Sequence, residues 1–401
     1  MFDKPLFSRR QLSIIIFVTT IAIVLLTASG QRDALPEIHK EQQHGVPIYW
    51  LQQDTASSYL SLSFALPKGT RGDSATVRLV QQLLLDSLRQ SFAQQSLSIK
   101  LNSHSDRLEI TLIAATEQSI ASVLSRLFKQ LQAPDDVVAK WSELQKKQQA
   151  QQYLDRQSVD PGWAKMRLWL QPEQSQYDND YMHWSAFREQ LFSRSQLSVS
   201  LMAKDVEPIV EALRSQLSSI PNGLQWANPS TPSLPPQQLT ASTLGEYQLL
   251  LGRQTSGRSA VDFAEQLLAV RQLQTLAGAL HIYSEWRPLG SHSELILSAS
   301  SPSPIDSNAL LGSIKSKLAE TSDDELDRRR SETIDHLYQR LENPDQLFEQ
   351  LQAIAFYQLP ENYLQSFVSQ LDQLSSAALR SSINALLNPE HYHQISQQPA
   401  N

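Results

Sequence analysis

No cysteine occurs among the 401 residues. That removes disulfides, thiolate nucleophiles, every cysteine-containing zinc site and a lipid-modified cysteine. It also suits an oxidising compartment, where a stray thiol is a liability. Glycine is scarce at 12. Nucleotide-binding loops need several glycines in one place, and no G-x-x-x-x-G-K-[ST] run is present. A G-x-S-x-G elbow is missing too, so a serine triad has no support despite abundant serine. Basic excess is also lacking. Lys+Arg 34 against Asp+Glu 41 gives a net charge of −7, the wrong balance for a nucleic-acid partner. Gln, Ser and 41% hydrophobic residues remain, enough for a core. At ~100–200 residues per domain, the length suggests two domains or three.

Lys4, Arg9 and Arg10 precede an uncharged, mostly apolar run from Leu12 to Ala28. Its length is near the ~17-residue lower limit of a spanning helix. Positive charge on its N-terminal side keeps that side in the cytoplasm. Residues 1–11 then read as a cytoplasmic end, 12–29 as a transmembrane anchor and 30–45 as a juxtamembrane linker. The body would lie in the periplasm of a bacterial cell, tethered to the inner membrane. A cleaved signal peptide ending at Ala28-Ser29-Gly30 is the open alternative.

The remainder falls into two halves that read alike. Leu60, Leu62, Phe64 and Leu66 alternate with Ser61, Ser63 and Ala65, a strand with one buried face. Val77, Val80, Leu84 and Leu88 recur at helical spacing. Ile99 with Leu101, and Leu108, Ile110 with Leu112, read as two strands. Ile120 to Leu131 is an amphipathic helix, and Val137 to Arg156 a long Gln- and Lys-rich one. Helices around Trp163–Leu170 and Ser185–Phe192, a strand at Leu197–Leu201 and a helix at Ile209–Leu217 follow. Pro229, Pro232, Pro235 and Pro236 mark an extended linker over 228–240. The order then restarts: a strand at Tyr247–Leu251, a helix at Phe263–Leu280, a strand at Leu295–Ala299 and a helix at Leu310–Leu318. Four helical patterns (323–341, 346–357, 361–371, 375–387) and a short extended tail, Tyr392–Ile395, end it. The expectation is an α+β protein of two tandem related domains, 46–227 and 241–396, followed by a tail at 397–401. Each would have an antiparallel sheet with helices on one face.

That order, in two copies from about Val46 to Ile395, resembles the insulinase/pitrilysin family of zinc peptidases and their processing-peptidase relatives. Tyr59-Leu60-Ser61-Leu62-Ser63-Phe64-Ala65-Leu66-Pro67-Lys68-Gly69-Thr70-Arg71 looks like the family's first strand and its G-S-R turn. Asp323-Asp324-Glu325-Leu326-Asp327-Arg328-Arg329-Arg330 is similar to its E-E-L-x-R-A-K helix start, and Ser200–Val206 to its V-V-G-D-V strand end. The family holds zinc with H-x-x-E-H on the helix after the first strand. Here the matching segment is Arg78-Leu79-Val80-Gln81-Gln82. Arginine stays protonated and glutamine is neither base nor strong ligand. The third ligand, a glutamate in the family, falls at Gln149 or Ala150, with Glu143 the only acid before Asp155. The resemblance therefore implies a degenerate member with no catalytic residues, no metal and no cofactor. In the second domain, Tyr283–Gly290 looks like the family's L-R-E-x-x-G-L-A-Y region. Arg287 matches its substrate-holding arginine, Pro288 departs from the pattern, and Ser293 or a neighbour stands for the tyrosine.

Inactive chains of this family commonly pair with active ones. The resemblance thus implies an H-x-x-E-H-bearing partner, peptide or unfolded segments as ligands, and no nucleic acid. An active peptidase with an unrecognised site and a scaffold of an envelope complex are the alternatives. Other combinations read as ordinary surface. His281 and Glu285 are four apart on a predicted helix. His391 and His393 share a face of a predicted strand. His292-Ser293-Glu294 lacks the cysteines of zinc deaminases. The Lys140–Gln152 stretch is a solvated face, and acids at 323–327 before Arg328-Arg329-Arg330 match a helix dipole.

Overall fold

The computed structural model describes residues 35–66, 75–132, 161–170, 181–224 and 235–399, less a few single positions, with four helical residues between 143 and 150. The segments read as a membrane anchor, the turn at 67–74, most of the 137–156 helix and the linker at 225–234 lie outside the described residues. Among the described residues, no helix is long and apolar enough to cross a membrane.

The first half runs β1 (His39–Gln43), β2 (Val46–Gln52), β3 (Ser58–Ala65), α1 (Ala75–Phe92), β4 (Leu97–Ser103), β5 (Arg107–Ala114) and α2 (Glu117–Gln132). It continues with α3 (Pro161–Leu170), α4 (Tyr181–Leu191), β6 (Leu197–Ala203) and α5 (Glu207–Leu217). The second half runs β7 (Gln238–Thr243), β8 (Tyr247–Ser256), α6 (Phe263–Ala279), β9 (Tyr283–Pro288), β10 (His292–Ser301), α7 (Ser307–Glu320) and α8 (Asp323–Glu342). It ends with α9 (Pro344–Phe356), α10 (Tyr363–Gln373), α11 (Ser376–Leu386) and β11 (His393–Pro399). The sheets are ordered β1-β2-β6-β3-β5-β4 and β7-β11-β8-β10-β9. Without β1, the first order maps strand for strand onto the second, so the repeat read from the sequence is a structural one.

Both sheets are mixed, which corrects the all-antiparallel expectation. In each half the last strand returns beside the first and runs parallel to it, β6 with β2 and β11 with β7. β1 and β7 also occupy stretches read as linker. β1 is held by a hairpin to β2, whose turn residues His44 and Gly45 both have positive φ (50° and 86°). Two such residues make the type I′ turn that matches strand twist.

Helices on one face only is also corrected. On the first sheet, Leu60, Leu62, Phe64, Leu108, Ile110, Leu112, Val199 and Leu201 form one core with α1, α2 and α5. The opposite, serine-bearing face is buried as well: Ser61 and Ser63 are at most 1% exposed. It lies under α9, a helix of the second half that packs on β6, β2 and β3. Small serines let the helix approach closely. Gln352 Nε2 donates to Thr111 Oγ1 at 3.1 Å, and Thr111 in turn to Ser61 Oγ at 3.4 Å. The exchange is mutual. Helix α3 of the first half covers the second sheet, burying Met166, Trp169 and Leu170 against Leu250, Ile296 and Ile395. Gln254 Nε2 donates to the Leu170 carbonyl at 2.7 Å, satisfying an end that the helix leaves open.

Gly252 permits that contact. A Cβ there would clash with Met166 Sδ and meet its Cγ at 2.8 Å. Gly252→Val is expected to cost ~1–3 kcal/mol, read as a lower urea midpoint. An unchanged midpoint would show that α3 can shift freely.

Candidate functional site

Helix α1 presents Val80, Leu83, Leu84, Leu88 and Phe92 to the core, a spacing of three and four that builds one apolar stripe. Gln82 is exposed and Gln81 half-buried. Arg78 lies on α1 one turn before Gln82, so the three positions share one side of the helix. Gln81 Nε2 donates to the Leu101 carbonyl at 3.3 Å. That ties α1 to β4, the edge strand of the first sheet. β4 alternates half-buried Leu97, Ile99 and Leu101 with exposed Ser98, Lys100 and Asn102.

Zinc does not fit this donor set. The guanidinium cannot lose its proton, a neutral amide is a poor ligand and no general base, and Gln81's Nε2 is used on a backbone carbonyl. Glu143 is exposed and pairs with Lys147 at 2.8 Å one turn on. That hydrogen bond and charge hold its carboxyl below the usual range. Ala150 is exposed on the same stretch, and Gln149 lies outside the described residues. Among the described residues, no three His, Asp or Glu side chains gather to hold a metal.

Arg287 lies on β9, the edge strand of the second sheet, equivalent to β4 in the first. Arg287 Nη2 is 3.3 Å from Glu285 and Nη1 3.9 Å from Glu294. Glu285 also receives Arg167 of α3 at 3.2 Å. Ser293 is buried and donates to the Ser256 carbonyl at 2.7 Å, so it does not face a ligand.

The histidine pairs dissolve. His281 follows α6 with φ 56°, and Glu285 is on β9, so they share no helix. His391 sits in a 3-10 turn, while His393 is buried in β11. There its Nδ1 accepts from Gln237 N at 3.1 Å, and burial pushes its pKa down. The arginine run on α8 pairs with its own acids, Arg328 with Glu332, Arg329 with Glu325 and Arg330 with Asp327.

Sequence reasoning missed a charged seam between the halves. Glu109 is 2% exposed on the serine-bearing face of β5. Arg107 Nε and Asn102 Nδ2 approach it at 3.4 Å, and His104 Nε2 at 3.7 Å. Arg107 lies over the rings of Phe356 and Tyr357 at the end of α9. Tyr357 donates to Asp106 Oδ2 at 2.6 Å. Burial, then the charge of Asp106, pushes the tyrosine hydroxyl's pKa up, so it stays a donor. The signal that could have found the seam is a glutamate inside an apolar strand, Leu108-Glu109-Ile110.

No family model matches the chain, and no curated protein sequence matches it. Solved structures match over nearly its whole length. The peptidase M16 inactive domain from Pseudomonas fluorescens is 17% identical and covers 91% of this chain and 98% of its own, at a TM-score of 0.72. A protease from Helicobacter pylori is 12% identical over 91% of this chain and 100% of its own, at 0.74. The first half of the periplasmic protease PqqL from Escherichia coli is 11% identical over 92% and 93%, at 0.63. The chain has the M16, insulinase/pitrilysin-type peptidase fold. In that fold, α1 stands where the zinc helix was expected from the sequence, directly after β3, the expected first strand.

Proposed function

We propose that the chain is a catalytically silent relative of these peptidases. Its N-terminal segment tethers it to the inner membrane with the body in the periplasm. There it binds extended peptide and pairs with an active metallopeptidase that carries H-x-x-E-H. The observation that carries the reading is α1: an M16-type fold whose helix offers Arg78, Gln81 and Gln82, with Gln81 spent on the Leu101 carbonyl. An exposed edge strand beside that helix supports peptide binding, because an extended segment can add its backbone to the open ladder. Exposed Lys100 on β4 would favour segments carrying acid. The Escherichia coli structure that it resembles is the first half of a protease, which supports pairing with a second body of that fold. Arg287 would act as a weak second grip, its charge already shared with Glu285 and Glu294.

The test is purification of the full chain in mild detergent, followed by metal analysis and peptidase assay. Substoichiometric zinc and no chelator-sensitive cleavage are expected. Stoichiometric zinc, or cleavage by the chain alone, would refute the silent reading. Recovery of a metallopeptidase with the tagged chain is the second expectation, and its repeated absence would leave a scaffold role.

A further inference from the structure

A cavity of about 620 Å³ opens in the second half between α6, α8, α10 and β9, away from the edge strand β4. Its volume is in the range of small-molecule sites, ~300–1,000 Å³. Arg258, Arg271, Arg340 and His336 line it, and among the described residues no aspartate or glutamate does. One wall is a row of rings. Trp286 stacks on Phe263 (5.9 Å, 21°), Phe263 meets Phe367 (6.0 Å, 31°), and Phe367 stacks on Tyr363 (5.5 Å, 19°).

The arginines are poorly compensated. Among the described residues neither Arg258 nor Arg271 has a carboxylate within ion-pair distance. Arg258 lies over the Phe263 and Tyr357 rings instead. Arg340 has one long approach to exposed Glu349 at 3.9 Å and donates to Gln346 Oε1 at 3.2 Å. Burial, and then repulsion from Arg340, pushes the Arg271 pKa down. Two like charges held beside a hydrophobic wall cost stability unless an anion joins them.

We propose that this cavity binds a carboxylate on an aromatic or large apolar body, the Arg271–Arg340 pair taking the oxyanion and the ring wall taking the body. Guanidinium forks match a carboxylate's two oxygens, and the rings give the body a flat contact. A free small acid and the C-terminal residue of a peptide share this chemistry. The inference does not depend on the silent-partner reading, since none of its residues lies on α1 or β4.

The experiment uses the full chain in detergent and calorimetric titration. The probes are N-acetyl-phenylalanine, its amide, acetate, and a tetrapeptide ending in phenylalanine with free or amidated terminus. N-acetyl-phenylalanine or the free-terminus tetrapeptide should bind, and each amide should bind about tenfold more weakly or worse. Acetate should give no heat. Binding by the acid alone identifies a small metabolite-sized ligand; binding by the tetrapeptide alone identifies a chain terminus. Arg271→Gln and Arg340→Gln should each weaken binding by about tenfold or more, with Arg328→Gln, exposed on the same helix as Arg340, as the unaffected control. Arg271→Gln should also leave the ligand-free Tm unchanged or raise it, because it relieves the like-charge pair. A purely structural arginine would lower it. Equal affinity for acid and amide, no binding of either acid, or full binding by both variants overturns the proposal.

Discussion

Expressed separately, residues 35–224 and 235–401 are each expected to fail to fold, and to assemble when expressed together. The reason is the exchanged helices. Without the second half, Tyr49, Leu51, Tyr59 and Met202, now at most 8% exposed, lose the cover of α9 and its neighbours. Tyr49 would also lose its hydroxyl's bond to the Leu359 carbonyl at 3.0 Å. Without the first half, Leu250, Ile296 and Ile395 lose α3. At ~1.5–3 kcal/mol per large buried side chain, uncovering about four costs ~6–12 kcal/mol. That equals the whole stability of a typical domain, ~5–15 kcal/mol. Circular dichroism and thermal melts of the separate halves check this. A cooperative melt from either half near that of the intact chain would show the exchange to be dispensable. A point variant gives the same reading on a smaller scale. Trp169→Ala should cost ~3–5 kcal/mol, whereas Leu224→Ala, 77% exposed, should cost about nothing.

That mutual cover marks where sequence reading stops. The central strands β3, β5, β6, β8 and β10 are legible because a buried face imposes period two, and the amphipathic helices because theirs imposes 3.6. The alternation of Leu and Ser in β3 locates one core face correctly. It says nothing of what covers the serines, because a helix from 290 residues away leaves no local trace. Edge strands are legible least. β1 is His39-Lys40-Glu41-Gln42-Gln43 without one apolar residue, and β9 is half-buried from Ser284 to Pro288 with Tyr283 exposed. Such strands form because a neighbour pairs their backbone, and their composition does not report it.

The candidate site divides in the same way. The match of positions 78, 81 and 82 to a zinc motif rests on the resemblance. The use Gln81 makes of its amide cannot be read that way, since Leu101 reaches it only through the turn from α1 into β4. Arg287 is read from the resemblance alone, and the helix expected at His281–Glu285 is in part the strand β9, because the Tyr283–Pro288 segment carries no periodicity. The cavity was invisible for a further reason. Arg258, Arg271, His336 and Arg340 come from three separate segments, each carrying only one or two of these residues.

Glu109→Ala is expected to cost about 3 kcal/mol, the lower end for breaking a buried pair, because Arg107 would keep Asp106 at 3.3 Å as its remaining acid. Glu109→Gln should cost less, since the amide still fills the site. The pH dependence separates charge from packing. Burial alone would push the Glu109 carboxyl up. The surrounding His104, Arg107 and Asn102 outweigh it, and the pKa lies below the ordinary carboxylate value. A carboxyl with a depressed folded pKa adds stability above its unfolded pKa, ~4.3, and loses it as pH falls through the lower folded value. The stability gap between the native chain and Glu109→Gln should therefore be full at pH 7 and shrink below about pH 4. Urea midpoints at the two pH values measure it. Because Glu109 and Arg107 lie on β5 and their neighbours Phe356 and Tyr357 at the C-terminal end of α9, the lost energy is lost from the junction. Acid should loosen the two halves from each other before it melts either sheet, and hydrogen exchange of α9 amides below pH 4 should rise ahead of that of β5. Equal protection of both at every pH would place the seam's energy elsewhere.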